Sequence, residues 1–139
     1  MAYKRPRLAE RLRDRLEPDE RLLEVVLVTG PLSRRPAAGE IVGEADTLAK
    51  RFRAQSTKER ACALGVTDRR LIFSWQGLNE ADSVLARRDV VGVVASGRRF
   101  LGARFLLHLA DGSALEFAIT KEWLDDLTRL LGPPPVSDL

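Results

Sequence analysis

The sequence predicts a mainly β fold of seven strands closed by a C-terminal helix, and three observations carry this prediction. Two apolar runs flank a polar turn in the segment 63–75, which has the sequence ALGVTDRRLIFSW. A second pair of alternating runs turns at Asp111-Gly112. Paired apolar runs around a polar turn are typical of β-hairpins. The segment 120–132 then shows apolar residues at helical spacing.

Length, charge and cysteine content are those of one small domain. The chain has 139 residues, enough for one buried core but not for two, so we expect a single domain over 1–139. The segment MAYKRPRLAERLRDRLEPDE is charged throughout, unlike a signal peptide. All apolar runs are far shorter than the roughly 20 residues that cross a bilayer, and one cysteine excludes an internal disulfide. We therefore expect a cytoplasmic protein, with any membrane contact at the membrane surface.

The N-terminal segment predicts a helix over 6–17, followed by the first strand. Pro6 suits the first turn of a helix, and three leucines then recur at four-residue spacing beside a stripe of arginines. The leucines are Leu8, Leu12 and Leu16, and the arginines are Arg7, Arg11 and Arg15. The run LLEVVLVT at 22–29 is rich in β-branched residues and ends at Gly30-Pro31, which predicts a deeply buried strand.

A long connection at 30–58 separates the first strand from the second. Its first part is a loop by composition, whereas apolar residues in its second part recur at helical spacing. These residues are Ile41, Ala45, Leu48, Ala49 and Phe52. Acidic residues lie at the start of this pattern and basic residues at its end, which suits the helix dipole. We therefore favour a helix over the competing interpretation, a strand over Thr47–Ala54 in which apolar and polar residues alternate.

The segment 59–119 is expected to hold strands two to seven. In its last hairpin the apolar residues of both arms must share one face, and this requirement decides the register. A two-residue turn at Asp111-Gly112 would place the two apolar sets on opposite faces, so we predict a three-residue loop over 110–112. The predicted facing pairs are Phe105 with Phe117 and Leu107 with Leu115, and His108 and Glu116 would then point away from the core.

The most clearly bounded element is a helix over 120–132, which a tail over 133–139 follows. Thr120 is a suitable N-cap, and Gly132 followed by prolines ends the helix. Its apolar residues make one face, which requires a sheet beneath it. The residues of that face are Trp123, Leu124, Leu127, Leu130 and Leu131.

The hairpin over 64–73, with the sequence LGVTDRRLIF, resembles the central hairpin of bacterial pleckstrin-homology-like (PH-like) domains and the related GRAM domains. In that family a short strand, a valine-rich strand, an Asp-Gly hairpin and a closing helix follow. The chain has their counterparts in order at Ser83–Ala86, Val90–Val94, Asp111-Gly112 and Trp123–Leu131. The resemblance implies a seven-stranded sandwich or partly open barrel of two near-orthogonal antiparallel sheets, capped by the C-terminal helix. The N-terminal helix and the helical insert between strands 1 and 2 would be additions to it.

The residues that could carry catalysis are few. His108 is the only histidine, which excludes a metal site built on two histidines, and Cys62 alternates with apolar residues as a buried structural thiol would. We expect His108 on the outer sheet surface, in cross-strand contact with Glu116. The pair Asp125-Asp126 suits the start of a helix better than an acid-base dyad. We therefore expect no catalytic residues, no metal, no cofactor and no enzyme activity.

Binding is the remaining class of function, and clustered basic residues are its candidates. The formal net charge is only +3, but arginines come in pairs and triplets. The clusters are Lys4 to Arg7, Arg34-Arg35, Lys50-Arg51-Arg53, Arg69-Arg70, Arg87-Arg88 and Arg98-Arg99. Most of them are expected to be solvated loop charge. In eukaryotic pleckstrin-homology domains the connection between the first two strands contacts phosphoinositide head groups, so the resemblance favours that segment. Its candidate residues are Arg34, Arg35, Lys50, Arg51, Phe52 and Arg53.

We expect a non-catalytic PH-like binding module that docks a protein partner or an anionic membrane surface. An exposed Phe52 beside the arginines would indicate an interface, whereas a buried Phe52 would make the insert helix a structural cover. One alternative is nucleic-acid binding by the arginine-rich surface, against which the low net charge argues. Another is a self-associating scaffold domain that uses the leucine stripe over 8–16 between chains. That stripe could equally pack on its own sheet, which we favour, and the sequence leaves the oligomeric state open.

Overall fold

The computed structural model describes residues 5–32, 46–55, 60–75, 81–99 and 102–134. In these ranges the chain forms seven strands and three α-helices, so the mainly β class and the closing helix are confirmed. The helices are α1 (Arg5–Arg13), α2 (Leu48–Gln55) and α3 (Lys121–Leu131). The strands are β1 (Leu22–Gly30), β2 (Arg60–Thr67), β3 (Arg70–Trp75), β4 (Ser83–Ala86), β5 (Val90–Arg99), β6 (Gly102–Leu109) and β7 (Ala114–Ile119).

All seven strands belong to one antiparallel sheet in the order β4-β3-β2-β1-β7-β6-β5. The sheet is not a closed barrel, because β4 and β5 lie at its two edges. The two near-orthogonal sheets that the resemblance implied are not confirmed, because β1 pairs on both sides and all seven strands form one sheet. β1 pairs with β2 along its length, whereas only Val28 and Thr29 pair with Ile119 and Ala118 of β7. This short pairing joins two halves, one formed by β1 to β4 and the other by β5 to β7, into one sheet.

The sheet curls strongly at β1. Three strand-to-strand steps separate β3 from β7, which would be about 14 Å in a flat sheet. Yet the rings of Phe73 on β3 and Phe117 on β7 lie with their centroids 5.4 Å apart. Such a contact requires the two halves of the sheet to turn their inner faces towards each other. The aromatic core lies between those faces, with Phe105 stacked on Phe117 at 5.6 Å.

The helix α1 covers the outer face of the sheet over β1 and β2. Leu12 is fully buried there, and Leu8 is buried beside it. A Cβ on Gly65 of β2 would lie 2.8 Å from Cδ1 of Leu12, so the helix sits close because this position has no side chain. The leucine stripe therefore packs on its own sheet and is not available for contact between chains. The helix ends at Arg13 rather than at residue 17, and turns follow it.

The insert is helical over Leu48–Gln55, so the favoured helix is confirmed there and the alternative strand is wrong. Ala49 and Phe52 are the buried residues of α2. The segment 33–45, which includes Ile41 and Ala45 of the predicted apolar pattern, lies outside the described residues. Ala49 and Phe52 are three positions apart, so a helix puts both side chains on one side, where they are buried together.

The β6–β7 hairpin has the predicted register. Phe105 pairs with Phe117, and Leu107 pairs with Leu115, so the three-residue loop over 110–112 is confirmed. Gly112 has a φ of 88°, the left-handed conformation that this loop requires and that glycine adopts without strain. The hairpin brings four of the core residues onto one face.

The helix α3 packs against β5, β1 and β6 and buries Trp123, Leu124 and Leu127. Thr120 occupies the N-cap position as predicted, but its side chain makes no capping hydrogen bond. Gly132 ends the helix with a φ of 72°, and its carbonyl oxygen accepts a hydrogen bond from the N–H of Val93 at 2.8 Å. The chain thus passes from α3 onto the edge strand β5.

Candidate functional site

The six candidate residues of the insert fall into two groups. Arg34 and Arg35 lie outside the described residues. Lys50, Arg51, Phe52 and Arg53 lie on α2, where Lys50 and Arg51 are exposed, Arg53 is half-buried and Phe52 is buried. The helix therefore places the basic side chains and the aromatic side chain on different sides.

Phe52 is a core residue rather than an interface residue. Its exposed fraction is 0%, and its ring lies edge-on to Phe73 with the centroids 4.7 Å apart. It also contacts Trp75 of β3 and Phe117 of β7, each at 6.2 Å between centroids. A side chain buried to this extent offers no apolar surface to a partner. By this criterion α2 is a structural cover over the curled sheet.

Arg51 forms an ion pair on the surface of the protein. Its Nε and Nη2 donate to the two carboxylate oxygens of Asp46 at 3.1 and 2.9 Å. The hydrogen bond from Arg51 and the positive charge beside it lower the pKa of the Asp46 carboxyl. Both side chains are largely exposed, at 64% for Arg51 and 69% for Asp46, so the pair adds little stability. It nevertheless balances the charge of Arg51.

The N-terminus of α2 is capped by a residue remote in sequence. Asp111, in the loop between β6 and β7, accepts a hydrogen bond from the N–H of Leu48 at 2.7 Å. Ser113 Oγ accepts from the N–H of Ala49 at 3.2 Å, and Thr47 Oγ1 accepts from the N–H of Lys50 at 3.1 Å. Burial raises the pKa of the Asp111 carboxyl, but hydrogen bonds from Ser113 and Leu48 outweigh it, so that this pKa is lowered. The first N–H groups of a helix have no acceptor within the helix. In α2, three of them form hydrogen bonds with side chains instead.

An acidic groove of about 410 Å³ lies beside this cap. Its walls carry three carboxylates and one guanidinium, contributed by Asp46 just before α2, by α2 itself, by the turn before β5 and by the β6–β7 loop. The lining residues are Asp46, Leu48, Arg51, Asp89, Ala110 and Asp111. The face of α2 that holds Arg51 is therefore not the basic surface expected from its sequence.

A second cluster, the Glu20–Arg70 cluster, was not predicted as a unit. Arg70 donates from Nε and Nη2 to the two carboxylate oxygens of Glu20, both at 2.8 Å. Thr67 Oγ1 donates to the same carboxylate at 2.6 Å, and the N–H of Glu17 donates at 3.0 Å. The Glu20 side chain is fully buried, and that of Arg70 is 23% exposed. Arg70 is therefore a structural residue and not part of a basic binding surface.

The surroundings of Glu20 hold its carboxyl ionised. Hydrogen bonds from Arg70 are the largest influence; burial opposes them, and the bond from Thr67 adds to them. Together they lower the pKa of Glu20 from its ordinary 4.5 to about 2. A local sequence signal exists only for Thr67, because a hydroxyl at the start of a turn commonly bonds turn backbone. Its Oγ1 accepts from the N–H groups of Arg69 and Arg70 at 3.0 and 2.9 Å.

Other titratable residues also have structural surroundings. Cys62 is fully buried, and burial raises the pKa of its thiol far above the ordinary value. Glu116 is on the outer face as predicted but is buried, and it accepts a hydrogen bond from Ser96 Oγ at 2.5 Å. It pairs with Leu106, whereas His108 pairs with Ala114, so His108 and Glu116 do not face each other directly. Among the described residues, no three potential ligands are grouped so as to hold a metal ion.

The edge strand β5 presents an exposed stretch at its middle. Val94 is 38% exposed, and Ala95 and Ser96 are exposed as well. On the neighbouring strand, Arg104 is half-buried and extends over Gly97, where an added Cβ would lie 3.0 Å from its Nη2. The Nε–H of Arg104 is buried and has no hydrogen-bond acceptor in the described part of the chain. Sequence periodicity carried no signal for this arrangement, because it depends on which strand lies at the edge.

No protein-family model matches the sequence. No curated protein matches it either. Within the part of the chain that the structure describes, no helix has the length and apolar character needed to cross a membrane.

Proposed function

We propose that the chain is a non-catalytic PH-like module that binds a protein partner. The order of its elements supports a PH-like fold, in which β4, the valine-rich β5, the Asp-Gly hairpin and α3 follow the central hairpin β2–β3. The curl of the sheet at β1 supports it as well, because it sets the inner faces of the two halves against each other. The perturbed carboxyls of Glu20 and Asp111 have structural partners, which supports a non-catalytic role.

The pairing of arginines with carboxylates is the observation that carries the choice of a protein partner. Four described arginines, in three of the clusters or stripes seen in the sequence, form ion pairs on the molecule itself. The pairs are Arg15 with Asp82, Arg51 with Asp46, Arg69 with Glu17 and Arg70 with Glu20. Attraction to a membrane or a nucleic acid depends on basic charge that exceeds the local acidic charge. Paired arginines supply little of that excess, whereas protein interfaces tolerate mixed charge.

Liposome co-sedimentation across a salt series tests this choice. We expect no salt-sensitive binding to anionic liposomes by the wild-type protein, because Arg15, Arg51, Arg69 and Arg70 already pair with carboxylates of the same molecule. A triple variant, Lys50→Glu, Arg51→Glu and Arg53→Glu, serves as the probe of α2. A matched triple variant at exposed basic residues elsewhere, Arg7→Glu, Arg13→Glu and Arg88→Glu, is the control. Salt-sensitive binding that only the α2 variant loses would contradict the proposal and support a peripheral membrane module.

Site-specific photo-cross-linking in the organism that encodes the protein gives the positive test. A photoreactive phenylalanine derivative replaces one exposed residue at a time, on five different elements. The positions are Leu23, Ala54, Arg88, Val94 and Asp125. We expect one protein adduct of defined mass that forms from neighbouring positions only. Adducts with lipid or nucleic acid, or none at all, would contradict the proposal, and an adduct of twice the chain mass would indicate self-association through a surface other than the leucine stripe.

A further inference from the structure

The free edge of β5 is divided into a covered part and an open part. The N–H of Val93 donates to the carbonyl oxygen of Gly132, so it points away from β6 and towards the edge. Pro133 and Pro134 lie directly over Gly92, where an added Cβ would be 2.2 Å from the nitrogen of Pro134. The segment after α3 thus covers the edge at 92–93 and runs towards the start of β5. The side chains of Val94, Ala95 and Ser96, which come next, are exposed.

The backbone of the open part is oriented to pair with another strand. Val93, Val94 and Ala95 follow one another without a break in their pairing with β6. Since N–H and C=O groups of alternate residues point to the same side of a strand, those of Ala95 point to the edge as those of Val93 do. A bulge lies between Ala95 and Gly97, so the regular edge is short. Backbone pairing alone would therefore be weak, and side chains must supply the rest.

Arg104 provides a charged group beside this edge. It pairs with Gly97, so both lie on the outer face of the sheet, as does Val94 through its pairing with Leu106. Because Gly97 has no side chain, the guanidinium of Arg104 lies over the edge strand β5 at this position. Its buried Nε–H finds no acceptor among the residues that the structure describes, and an unmet buried donor costs free energy that a ligand oxygen would recover. Within the described ranges, no carboxylate forms an ion pair with Arg104.

We infer that the edge of β5 from Val94 to Gly97 binds an extended acidic segment of a partner protein. The segment adds as a strand, its backbone pairs with Ala95, and one of its carboxylates pairs with the guanidinium of Arg104. An apolar side chain two residues from the carboxylate lies on the same face and contacts Val94. This inference rests on the proposed function and names the class of partner. A peptide is favoured over a lipid because only a peptide also matches the edge N–H and C=O groups of Ala95, for which the described residues provide no partner.

A titration followed by nuclear magnetic resonance tests the inference on the whole chain. The probe is a blocked pentapeptide of sequence Val-Thr-Glu-Thr-Val, which presents the same pattern in both strand directions, and its matched control has glutamine in place of glutamate. At about 1 mM peptide we expect shifts of the amide signals of 94–97 and of the Arg104 Nε–H. Because a charged pair is lost, we expect about tenfold weaker binding of the glutamine peptide.

Two variants separate the contributions of charge and backbone. We expect Arg104→Gln to bind both peptides equally and weakly, and Ala95→Pro to bind neither, because proline removes the edge N–H. The amide spectra of both variants also report whether they keep the fold. Absence of shifts at 94–97, or equal binding of both peptides by the wild-type protein, would overturn the inference. A protein adduct that forms at Leu23 or Asp125 but not at Val94 would overturn it too, while the proposed function would stand.

Discussion

At the scale of single residues, Glu20 links two segments that are distant in sequence. Its buried carboxylate receives hydrogen bonds from Arg70 and Thr67 of the β2–β3 hairpin and from the backbone of Glu17. An ionised carboxylate without partners would be very unfavourable at this depth, so the bonds are what make its burial possible. The same hairpin carries Arg69, whose partner Glu17 is 60% exposed. Two adjacent arginines thus differ greatly in their surroundings.

We predict that Glu20→Gln destabilises the protein by about 3 kcal/mol at neutral pH, the value that a pKa lowered from 4.5 to about 2 corresponds to. Because the folded-state pKa is below the ordinary one, this stabilisation is fully present above pH 4.5 and is lost as the pH falls from 4.5 towards 2. Urea unfolding monitored by tryptophan fluorescence at a series of pH values measures it. The wild-type and variant curves should therefore converge in acid.

The matched control for Glu20 is Glu17→Gln, which removes the carboxylate of an exposed ion pair. We expect it to cost less than about 0.5 kcal/mol, because solvent screens exposed pairs. Equal losses for the two variants, or a Glu20→Gln loss that does not shrink in acid, would show that the Glu20–Arg70 cluster has no special energetic role.

At the scale of elements, α2 depends on a loop that is remote in sequence. The helix has only eight residues, too few to be stable alone in water, so its stability must come from tertiary contacts. Two of these contacts are identified: Phe52 in the core and Asp111 at the first turn. The β6–β7 loop, whose shape depends on Gly112, therefore positions the cap of a helix that lies far away in the chain.

We predict that Asp111→Ala costs about 1 kcal/mol, because the first turn of α2 loses an acceptor. Native-state hydrogen exchange should show faster exchange of the amides of 48–52, whereas those of β2 and β3 should change little. The control is Asp89→Ala, which removes a carboxylate from the same groove and leaves the cap intact. If both variants leave the exchange of α2 unchanged, Asp111 does not hold the helix.

At the scale of the whole molecule, Phe52 joins the two halves of the curled sheet. Its ring contacts Phe73 and Trp75 on one side of β1 and Phe117 on the other. Direct pairing of β1 with β7 involves only two residues of each strand. Packing of side chains between the inner faces must therefore supply much of the cohesion between the halves.

We predict that Phe52→Ala lowers the free energy of unfolding by about 3 to 5 kcal/mol, the usual range for a buried aromatic residue replaced by alanine. Denaturant unfolding with fluorescence and circular dichroism in parallel should still show one transition, because both halves share this contact. The control on the same helix is Lys50→Ala, which should change stability by less than about 0.5 kcal/mol. A loss below about 1 kcal/mol for Phe52→Ala would contradict a core role.

Much of the fold follows from local patterns. The strands, the closing helix and the register of the β6–β7 hairpin follow from periodicity and turn residues, because those depend on neighbours a few positions apart. The candidate site was predicted less well. Charge along the chain identified Arg51 and Arg70 as members of basic clusters, but their partners Asp46 and Glu20 neutralise them. Periodicity placed Phe52 on a helix without saying which side would face the sheet.

The sequence by itself determined the elements of this protein, their order and the register within a hairpin, since these depend on short-range spacing. Only the tertiary structure decided that β1 pairs with β7, that the sheet curls, and that Glu20 and Asp111 find distant partners. Such contacts join residues far apart in the chain, and many pairings satisfy the same local pattern. Which of these pairings forms depends on burying the apolar surface of the whole chain at once. For the same reason, the sequence did not show that β5 has an open edge, because the position of β5 depends on how all the other strands pair.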